Sequence, residues 1–478
     1  MEVLKRLDDN NLKRLHQFLL SPYFNDTRHA SDLCRLYERI VQFDAEIDSP
    51  ELDKKVVSEL IYPEWSFEEK VKGPLDALAS NLFQLVRRYL AQQDWERENP
   101  DFHNQLALIR FYRKNDMEDR YWKALEALRA DHRRLPLRDA QYYHQRFKIE
   151  EEETIFRGSH NAHKDDINLH AAHQNLDIYY SIVKLEMSCF LENQKQTTQL
   201  ESPIDTRLQE CVLELVREGS YLNIPLNQIY QTVLDVIRHP QDEQLIAQLE
   251  QLLRQHEAQI PFEKMKDLMA YCRNFWVNRY YRSGDQHSRE RVFQLYRDHL
   301  KQGLFYQDGM IPFSTARNIV VFGLKLGEYA WLREFLDSHP PERICGTRYP
   351  AEVHSLNTAD YYFALKEYEK AQEAIVYRNF ENARLGFLAD ILLIKIYFET
   401  ENELLAFRMK ALDQKIRRTK LSSAIKERHL NFLRKLDKII KYGWQKSHAK
   451  NQRLIEEIRE TSNIVSREWL LEKLSPPA

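Results

Sequence analysis

Histidine and aspartate residues gather in one stretch, residues 160–173, which reads HNAHKDDINLHAAH. Two pairs of histidines, each three residues apart, flank two aspartates; these residues are His160, His163, His170, His173, Asp165 and Asp166. Two histidines at i and i+3 on a helix can share a transition metal, and a carboxylate can complete the site. The alternative is a polar loop that leads into a helix, with an aspartate as its N-cap. The sequence leaves both interpretations open.

No other catalytic signature is present. The sequence contains no GxSxG, GxxxxGK[ST], GxGxxG or HExxH motif, so it offers no nucleophile elbow, phosphate loop, dinucleotide fingerprint or zinc helix. The four consecutive acids from Glu150 to Glu153 are typical of a solvated helix face. We therefore predict a protein that is not an enzyme and needs no cofactor or metal, with a metal-dependent enzyme as an alternative.

Basic residues concentrate near the end of the chain. Residues 408–453 contain 15 Lys and Arg and 3 acidic residues, a net charge of +12 in a chain whose total is −3. This asymmetry indicates either a surface for nucleic acid or another acidic partner, or a basic face that complements the acidic remainder of the same molecule. We favour the second interpretation and keep nucleic acid as the alternative. Several cations are predicted to project away from the buried stripe of their helix: Lys426, Arg428, Arg434, Lys435, Lys438 and Lys441.

The elements that position these residues are predicted to be helices. Only 11 of 478 residues are glycine, whereas sheets joined by tight hairpins need Gly, Asn and Asp at their turns. The five cysteines form no CxxC pair, which fits a reducing compartment. No stretch is apolar for long enough to span a bilayer. We therefore expect an all-α, cytoplasmic protein that does not insert into membranes.

Apolar residues at helical spacing predict the individual helices. Near the start of the chain, helices are expected over residues 9–20 and 31–43. A third helix is predicted with Ser49 as its N-cap and Pro50 at its first position, and Pro74 is predicted to open a long helix.

Residues 356–380 predict two helices joined by a tight turn near Lys366 and Glu367. Ala359 and Ala371 let the two helices approach closely, and neighbouring tyrosines fill the space beside each alanine. This pattern resembles the tetratricopeptide repeat, a helix–turn–helix unit of about 34 residues. Similar turns, about 35 to 43 residues apart, are expected at Gly284, Gly327 and Glu401. The resemblance implies a right-handed superhelical solenoid of antiparallel helix pairs.

In tetratricopeptide-like units the first helix of each pair lines the concave face. The resemblance therefore implies a groove for a carboxylate-bearing peptide, in which Asn holds the peptide backbone and Arg or Lys holds its carboxylates. A solvated polar face is the alternative. The predicted peptide-binding residues are Asn274, Asn278, Arg282, Arg317, Asn318, Lys325, Asn357 and Lys395.

Six segments resemble a bacterial family of helical-repeat proteins for which no activity is established. They are SPYFN, ELDKKVVSELIYPEW, LASNLFQLVRRYLAQQ, LDIYYSIVKLEMSCFLENQKQ, NFLRKLDKIIK and REWLLEKL. The resemblance implies a helical-repeat fold and transfers no functional residue.

These patterns together predict four regions. The expected regions are an N-terminal helical region (1–95), a middle helical array (96–261), tetratricopeptide-like repeats (262–413), and basic C-terminal helices with a cap (414–478). In the cap, Trp469, Leu470, Leu471 and Leu474 are predicted to cover the end of the last repeat, as terminal units of solenoids must. The predicted function is a scaffold or adaptor that binds a protein or peptide on its concave face.

Overall fold

The computed structural model describes residues 2–43, 50–63, 72–97, 100–159, 168–198, 206–219, 221, 223–376, 379–443 and 448–474. Within these ranges the chain forms 22 α-helices, a few 3₁₀ turns and two strands of two residues each. The prediction of an all-α protein is therefore confirmed. The chain divides into two compact units.

The N-terminal unit comprises Met1–Leu135 and His144–Leu176. Its helices are α1 (Asp9–Leu20), α2 (Ala30–Gln42), α3 (Lys54–Ile61), α4 (Lys72–Arg97), α5 (Pro100–Lys114), α6 (Glu118–Arg133), most of α7 (Ala140–Ser159) and the start of α8 (Leu169–Thr198). One apolar core lies among α1 to α4, and a second lies among α5, α6 and α7.

The C-terminal unit comprises Pro136–Tyr143 and Asp177–Ala478. Besides the remainder of α7 and α8, its helices are α9 (Arg207–Glu218), α10 (Pro225–Arg238), α11 (Glu243–Gln255), α12 (Phe262–Ser283), α13 (Gln286–Lys301), α14 (Phe313–Leu326), α15 (Tyr329–Ser338), α16 (Pro350–Ala364), α17 (Tyr368–Val376), α18 (Ala383–Glu399), α19 (Leu405–Arg418), α20 (Ser423–Gly443), α21 (His448–Glu460) and α22 (Arg467–Glu472). A large core runs from α8 to α18, and a second core joins α18 to α22.

The third helix begins later than the sequence predicts. Pro50–Leu52 forms a 3₁₀ turn, and α3 begins at Lys54. Asp53 is its N-cap, because the Asp53 side chain accepts a hydrogen bond from the backbone N–H of Lys55 at 2.8 Å. The predicted cap, Ser49, lies outside the described residues.

The four helix pairs from α12 to α19 share one kind of turn. In each pair, a residue with positive φ follows the first helix: Gly284 (68°), Gly327 (74°), Lys366 (62°) and Glu401 (51°). This left-handed conformation ends a helix and reverses the chain within a few residues. All four turns lie where the sequence predicts them, although two of them use a residue other than glycine.

A short parallel ladder, which the sequence did not predict, joins two of the loops between pairs. Strand β1 (Ile311–Pro312) precedes α14, and strand β2 (Ile344–Cys345) precedes α16. The two strands pair in parallel, with Ile311 opposite Ile344, and both isoleucines are buried. Two residues per strand are too few to produce a readable period-2 pattern in the sequence.

Three of the four acids in the run on α7 are buried, so its interpretation as a solvated face is wrong. Glu150, Glu152 and Glu153 are 3%, 1% and 4% exposed. Arg129 of α6 contacts both Glu150 and Glu153, and Arg113 of α5 binds Glu152 at 2.5 Å. Burial would raise the pKa of Glu153, but hydrogen bonds from Arg129 and its neighbour on α7 lower it. Glu153 is therefore ionised, and all three buried carboxylates are paired with arginines inside the N-terminal unit.

A buried histidine in the C-terminal unit is held neutral. His299 of α13 is 3% exposed, and its Nδ1 lies 2.8 Å from the guanidinium of Arg273 on α12. Because arginine can only donate, Nδ1 must accept this hydrogen bond. Burial, and secondarily the charge of Arg273, lower the pKa of His299 to about 4.

This histidine should make the C-terminal unit sensitive to acid. In the unfolded chain His299 returns to its ordinary pKa near 6.5, so the unfolded state takes up the proton first as the pH falls. Above pH 6.5 we expect the free energy of unfolding to be unaffected by protonation of His299. As the pH falls from 6.5 towards 4, protonation of His299 in the unfolded chain should lower the free energy of unfolding by up to about 3 kcal/mol. Urea unfolding of the wild type and His299→Gln between pH 7.5 and 4.5 measures it. Equal pH dependence in both proteins would contradict the assignment.

Candidate functional site

A cleft of about 1010 Å³ lies within the C-terminal unit. Its walls come from α12, α14, α16, α18 and α20, together with residues 462–469 near the end of the chain. Of the four helix pairs from α12 to α19, it is the first helix of each that lines the cleft. This is the set of helices from which the sequence predicted a binding face.

Five of the eight predicted binding residues meet in this cleft. They are Arg282, Arg317, Asn318, Lys325 and Lys395. Helical periodicity explains the convergence on α14. Arg317, Val321 and Lys325 follow one another at intervals of four residues, and residues at this spacing share one face of a helix.

The other three predicted residues do not line the cleft. Asn274 and Asn278 are exposed on α12, but the wall that α12 contributes begins only at Tyr280. Asn357 is 1% exposed and lies behind the wall. Its side-chain oxygen accepts a hydrogen bond at 2.8 Å from Arg317. Asn357 therefore positions an arginine and is not available to a peptide backbone.

Arg317 is itself paired. Its Nη1 lies 2.7 Å from Oδ2 of Asp360 on α16, in addition to its hydrogen bond to Asn357. The charge of this arginine is therefore compensated inside the protein. Arg317 and Asp360 connect α14 to α16 at the floor of the cleft and leave little net charge for a ligand there.

Lys395 differs from Arg317 because it has no ion-pair partner among the described residues. Its ammonium lies 4.3 Å from the ring centre of Phe363 and 5.6 Å from that of Trp469. These cation–π contacts stabilise the charge partially. Burial lowers the pKa of Lys395, and nearby acids, Asp360 foremost, oppose the change. A carboxylate placed in the cleft beside this ammonium would relieve its loss of hydration.

The cleft has a cationic lining overall. Its lining includes seven Arg and Lys residues and two acidic residues. Arg282, Arg384 and Arg428 are exposed, and none of them forms an ion pair within the described part of the chain. Such uncompensated guanidinium groups are well suited to bind carboxylates in a bidentate manner.

The sequence did not assign two of these arginines, Arg384 and Arg428, to the binding face, although Arg428 was predicted to project from its helix. Arg384 lies eleven residues before Lys395 on α18, which is close to three helical turns and places both on one face. That spacing could have identified Arg384. Arg428 of α20 lies outside the predicted repeats, so the alignment of turns did not reach it.

Lys325 is engaged by an acid from the end of the chain. Its Nζ lies 2.8 Å from both carboxylate oxygens of Glu468 and 2.7 Å from the hydroxyl of Tyr280. The Tyr280 hydroxyl in turn donates to Glu468 at 2.5 Å. Partial loss of hydration would raise the pKa of the Glu468 carboxyl, but the hydrogen bonds from Lys325 and Tyr280 lower it. A lysine and a tyrosine thus hold one carboxylate at the cleft wall.

Two lysines of the basic C-terminal helices share one acid of the next helix. Lys435 and Lys438 of α20 both bind Glu457 of α21, at 2.6 and 2.7 Å. Lys435 is 7% exposed, so the prediction that it projects away from the buried stripe is wrong. The charge of α20 is therefore compensated in part by α21, which leaves fewer cations for phosphates.

The metal hypothesis falls partly outside the described residues. His160, His163 and both aspartates lie in the range 160–167, which is not described, whereas His170 and His173 are exposed on α8. Among the residues that the structure describes, no three His, Cys, Asp or Glu side chains are grouped as a metal site.

Comparisons of the chain with protein-family models, with curated proteins and with solved structures found no match. Within the described ranges, no helix combines the length and the apolar character that a bilayer span requires.

Proposed function

We propose that this chain is a non-enzymatic scaffold or adaptor that binds an acidic segment of a protein partner in the cleft. In this proposal α12 to α19 form a tetratricopeptide-like, right-handed solenoid of antiparallel helix pairs. The shared turn conformation supports the repeat character. The position of the cleft, along the first helix of each pair, supports its assignment to the concave face.

The unpaired cations among the described residues of the cleft are the observation that favours an acidic ligand. Four cations of the cleft, Arg282, Arg384, Lys395 and Arg428, have no ion-pair partner within the described residues. Charged side chains that do not take part in binding are commonly paired with an opposite charge or fully hydrated. These four cations instead line the same cleft, as the polar groups of a binding site do. Side-chain carboxylates of a peptide would complement them, and apolar side chains between them, such as Leu388, would contact the peptide's aliphatic groups.

Reversing two cleft charges should abolish binding of an acidic peptide. The probe is a fluorescein-labelled decapeptide of alternating Glu and Gly, compared with its Gln and Gly counterpart by fluorescence polarisation. We expect the wild type to prefer the Glu peptide, and Arg384→Glu with Arg428→Glu to weaken that binding at least about tenfold, because each reversal replaces attraction by repulsion.

A matched variant controls for net charge. Lys301→Glu with Lys410→Glu makes the same change on α13 and α19, at exposed positions outside the cleft. This variant should bind the Glu peptide as the wild type does, apart from a small effect of net charge. Equal loss in both double variants would show that binding is not located in the cleft, and equal binding of the Glu and Gln peptides would refute the ligand class.

Nucleic acid is the second candidate, favoured by the basic region of residues 408–453. It takes second place because Glu457 compensates Lys435 and Lys438. A labelled single-stranded oligonucleotide separates the two candidates. Nucleic acid would be favoured if the oligonucleotide binds more tightly than the Glu peptide and its affinity falls steeply with salt. That binding should also persist in the Arg384→Glu, Arg428→Glu double variant.

A further inference from the structure

An acid of this chain already occupies part of the cleft. Glu468 lies on α22, yet it binds Lys325, which is 143 residues earlier in the chain, and Tyr280, which is 188 residues earlier. The contacts are those described above, with both carboxylate oxygens 2.8 Å from the ammonium of Lys325. This arrangement shows, within the molecule itself, how the cleft wall receives a side-chain carboxylate.

The segment that carries Glu468 is anchored on both sides of it. Before it, the side chain of Asn431 on α20 donates to the backbone carbonyl of Asn463 at 2.9 Å, and the side chain of Asn463 donates to the carbonyl of Ala424 at 2.7 Å. After it, Trp469 is 7% exposed and packs beside the rings of Phe398 and Phe432. None of these contacts involves the side chain of Glu468.

Glu468 itself is not buried. Its side chain is 62% exposed, whereas that of Lys325 is 23% exposed. The carboxylate therefore reaches into the cleft from the solvent side, and water or another carboxylate can replace it without disturbing Trp469. The lysine ammonium and the tyrosine hydroxyl belong to the cleft wall, whereas the carboxylate that they bind can be exchanged.

We infer that Lys325 and Tyr280 form a carboxylate subsite of the cleft, that Glu468 fills this subsite in the free protein, and that an acidic side chain of the partner displaces it. The inference rests on the proposed function, which it deepens by naming one subsite and its internal competitor. A solvent-exposed ion pair contributes at most about 1 kcal/mol. The competition should therefore weaken partner binding by up to about fivefold.

The test compares Glu468→Gln with the wild type, using the labelled Glu and Gly decapeptide as the probe. Glutamine keeps the size of the side chain and removes its charge, so Lys325 becomes available to the probe. We expect the variant to bind about three to five times more tightly. Glu456→Gln removes a charge from an exposed position on α21 outside the cleft, and it should leave the affinity unchanged.

Lys325→Met provides the second half of the test. Alone, it should weaken binding of the probe, and it should also abolish the gain from Glu468→Gln in the double variant, because the gain depends on this ammonium. Circular dichroism of each variant confirms that the helices remain. An equal gain with and without Lys325, or no gain in Glu468→Gln, overturns the inference even if the wild type binds the probe. Absence of probe binding in every variant instead overturns the proposed function, and the inference with it.

Discussion

Arg129→Met should lower the free energy of unfolding of the N-terminal unit by about 3 to 5 kcal/mol. Arg129 is 8% exposed and contacts two buried carboxylates, Glu150 and Glu153. Methionine fills a similar volume but carries no charge, so both acids would lose their shared partner in a medium that solvates them poorly. Urea unfolding followed by circular dichroism and by tryptophan fluorescence measures the loss.

An ion pair within α7, the helix that carries Glu150 and Glu153, provides the control. Lys148 and Glu151 lie 2.9 Å apart, and both side chains are about one-third exposed, at 33% and 35%. Lys148→Met should therefore change the unfolding free energy by less than about 1 kcal/mol. A loss of similar size in both variants would show that the buried position of Arg129 confers no special stability. Each acid keeps one further arginine partner, Arg146 for Glu150 and Arg157 for Glu153. Recovery of stability when Glu150 and Glu153 are also replaced by Gln would confirm that incompletely compensated negative charge is the cause.

Trp469→Ala should lower the free energy of unfolding of the C-terminal unit by a similar amount, about 3 to 5 kcal/mol. The indole lies 5.3 Å from the ring of Phe398 and 6.0 Å from that of Phe432, between centroids, and its Nε1–H donates to Glu399 at 2.7 Å. Alanine would leave a cavity in the core that joins α18 to α22. Urea unfolding of the variant measures the loss.

Phe407→Ala is the matched control for Trp469, since Phe407 is an aromatic residue of the same unit that is 68% exposed. Phe407→Ala should lower the free energy of unfolding by less than about 1 kcal/mol. If the two substitutions had similar effects, Trp469 would not be part of a cooperative core. The tryptophan also forms one wall of the cleft, so Trp469→Ala should weaken binding of the Glu peptide as well.

The local features of the C-terminal unit could be predicted from the sequence. The turns at Lys366 and Glu401 carry no glycine, yet the spacing of small and aromatic residues around them located both. Helical periodicity predicted that Arg317, Lys325 and Lys395 line the same cleft, because the position of a turn fixes which face of the next helix points inward. These predictions needed only residues close together in the chain.

The features that the sequence did not reveal depend on distant residues. Glu152 and Arg113 are 39 residues apart, and nothing near the acidic run indicates that its partners lie on other helices. Asn357 was assigned to a ligand because its type and spacing fit, but Arg317, 40 residues earlier, takes its side-chain oxygen. The position of Glu468 in the cleft depends on packing of α22, which no local pattern encodes.

The position of α22 also has a consequence for the order of folding. The helix pairs from α12 to α19 form contacts between neighbours in the chain, and such contacts can form as the ribosome releases each pair. Glu468 leaves the ribosome 143 residues after Lys325. During synthesis the nascent chain therefore presents Lys325 and Tyr280 before Glu468 exists. Under the proposed competition, a partner present at that stage would meet no internal competitor.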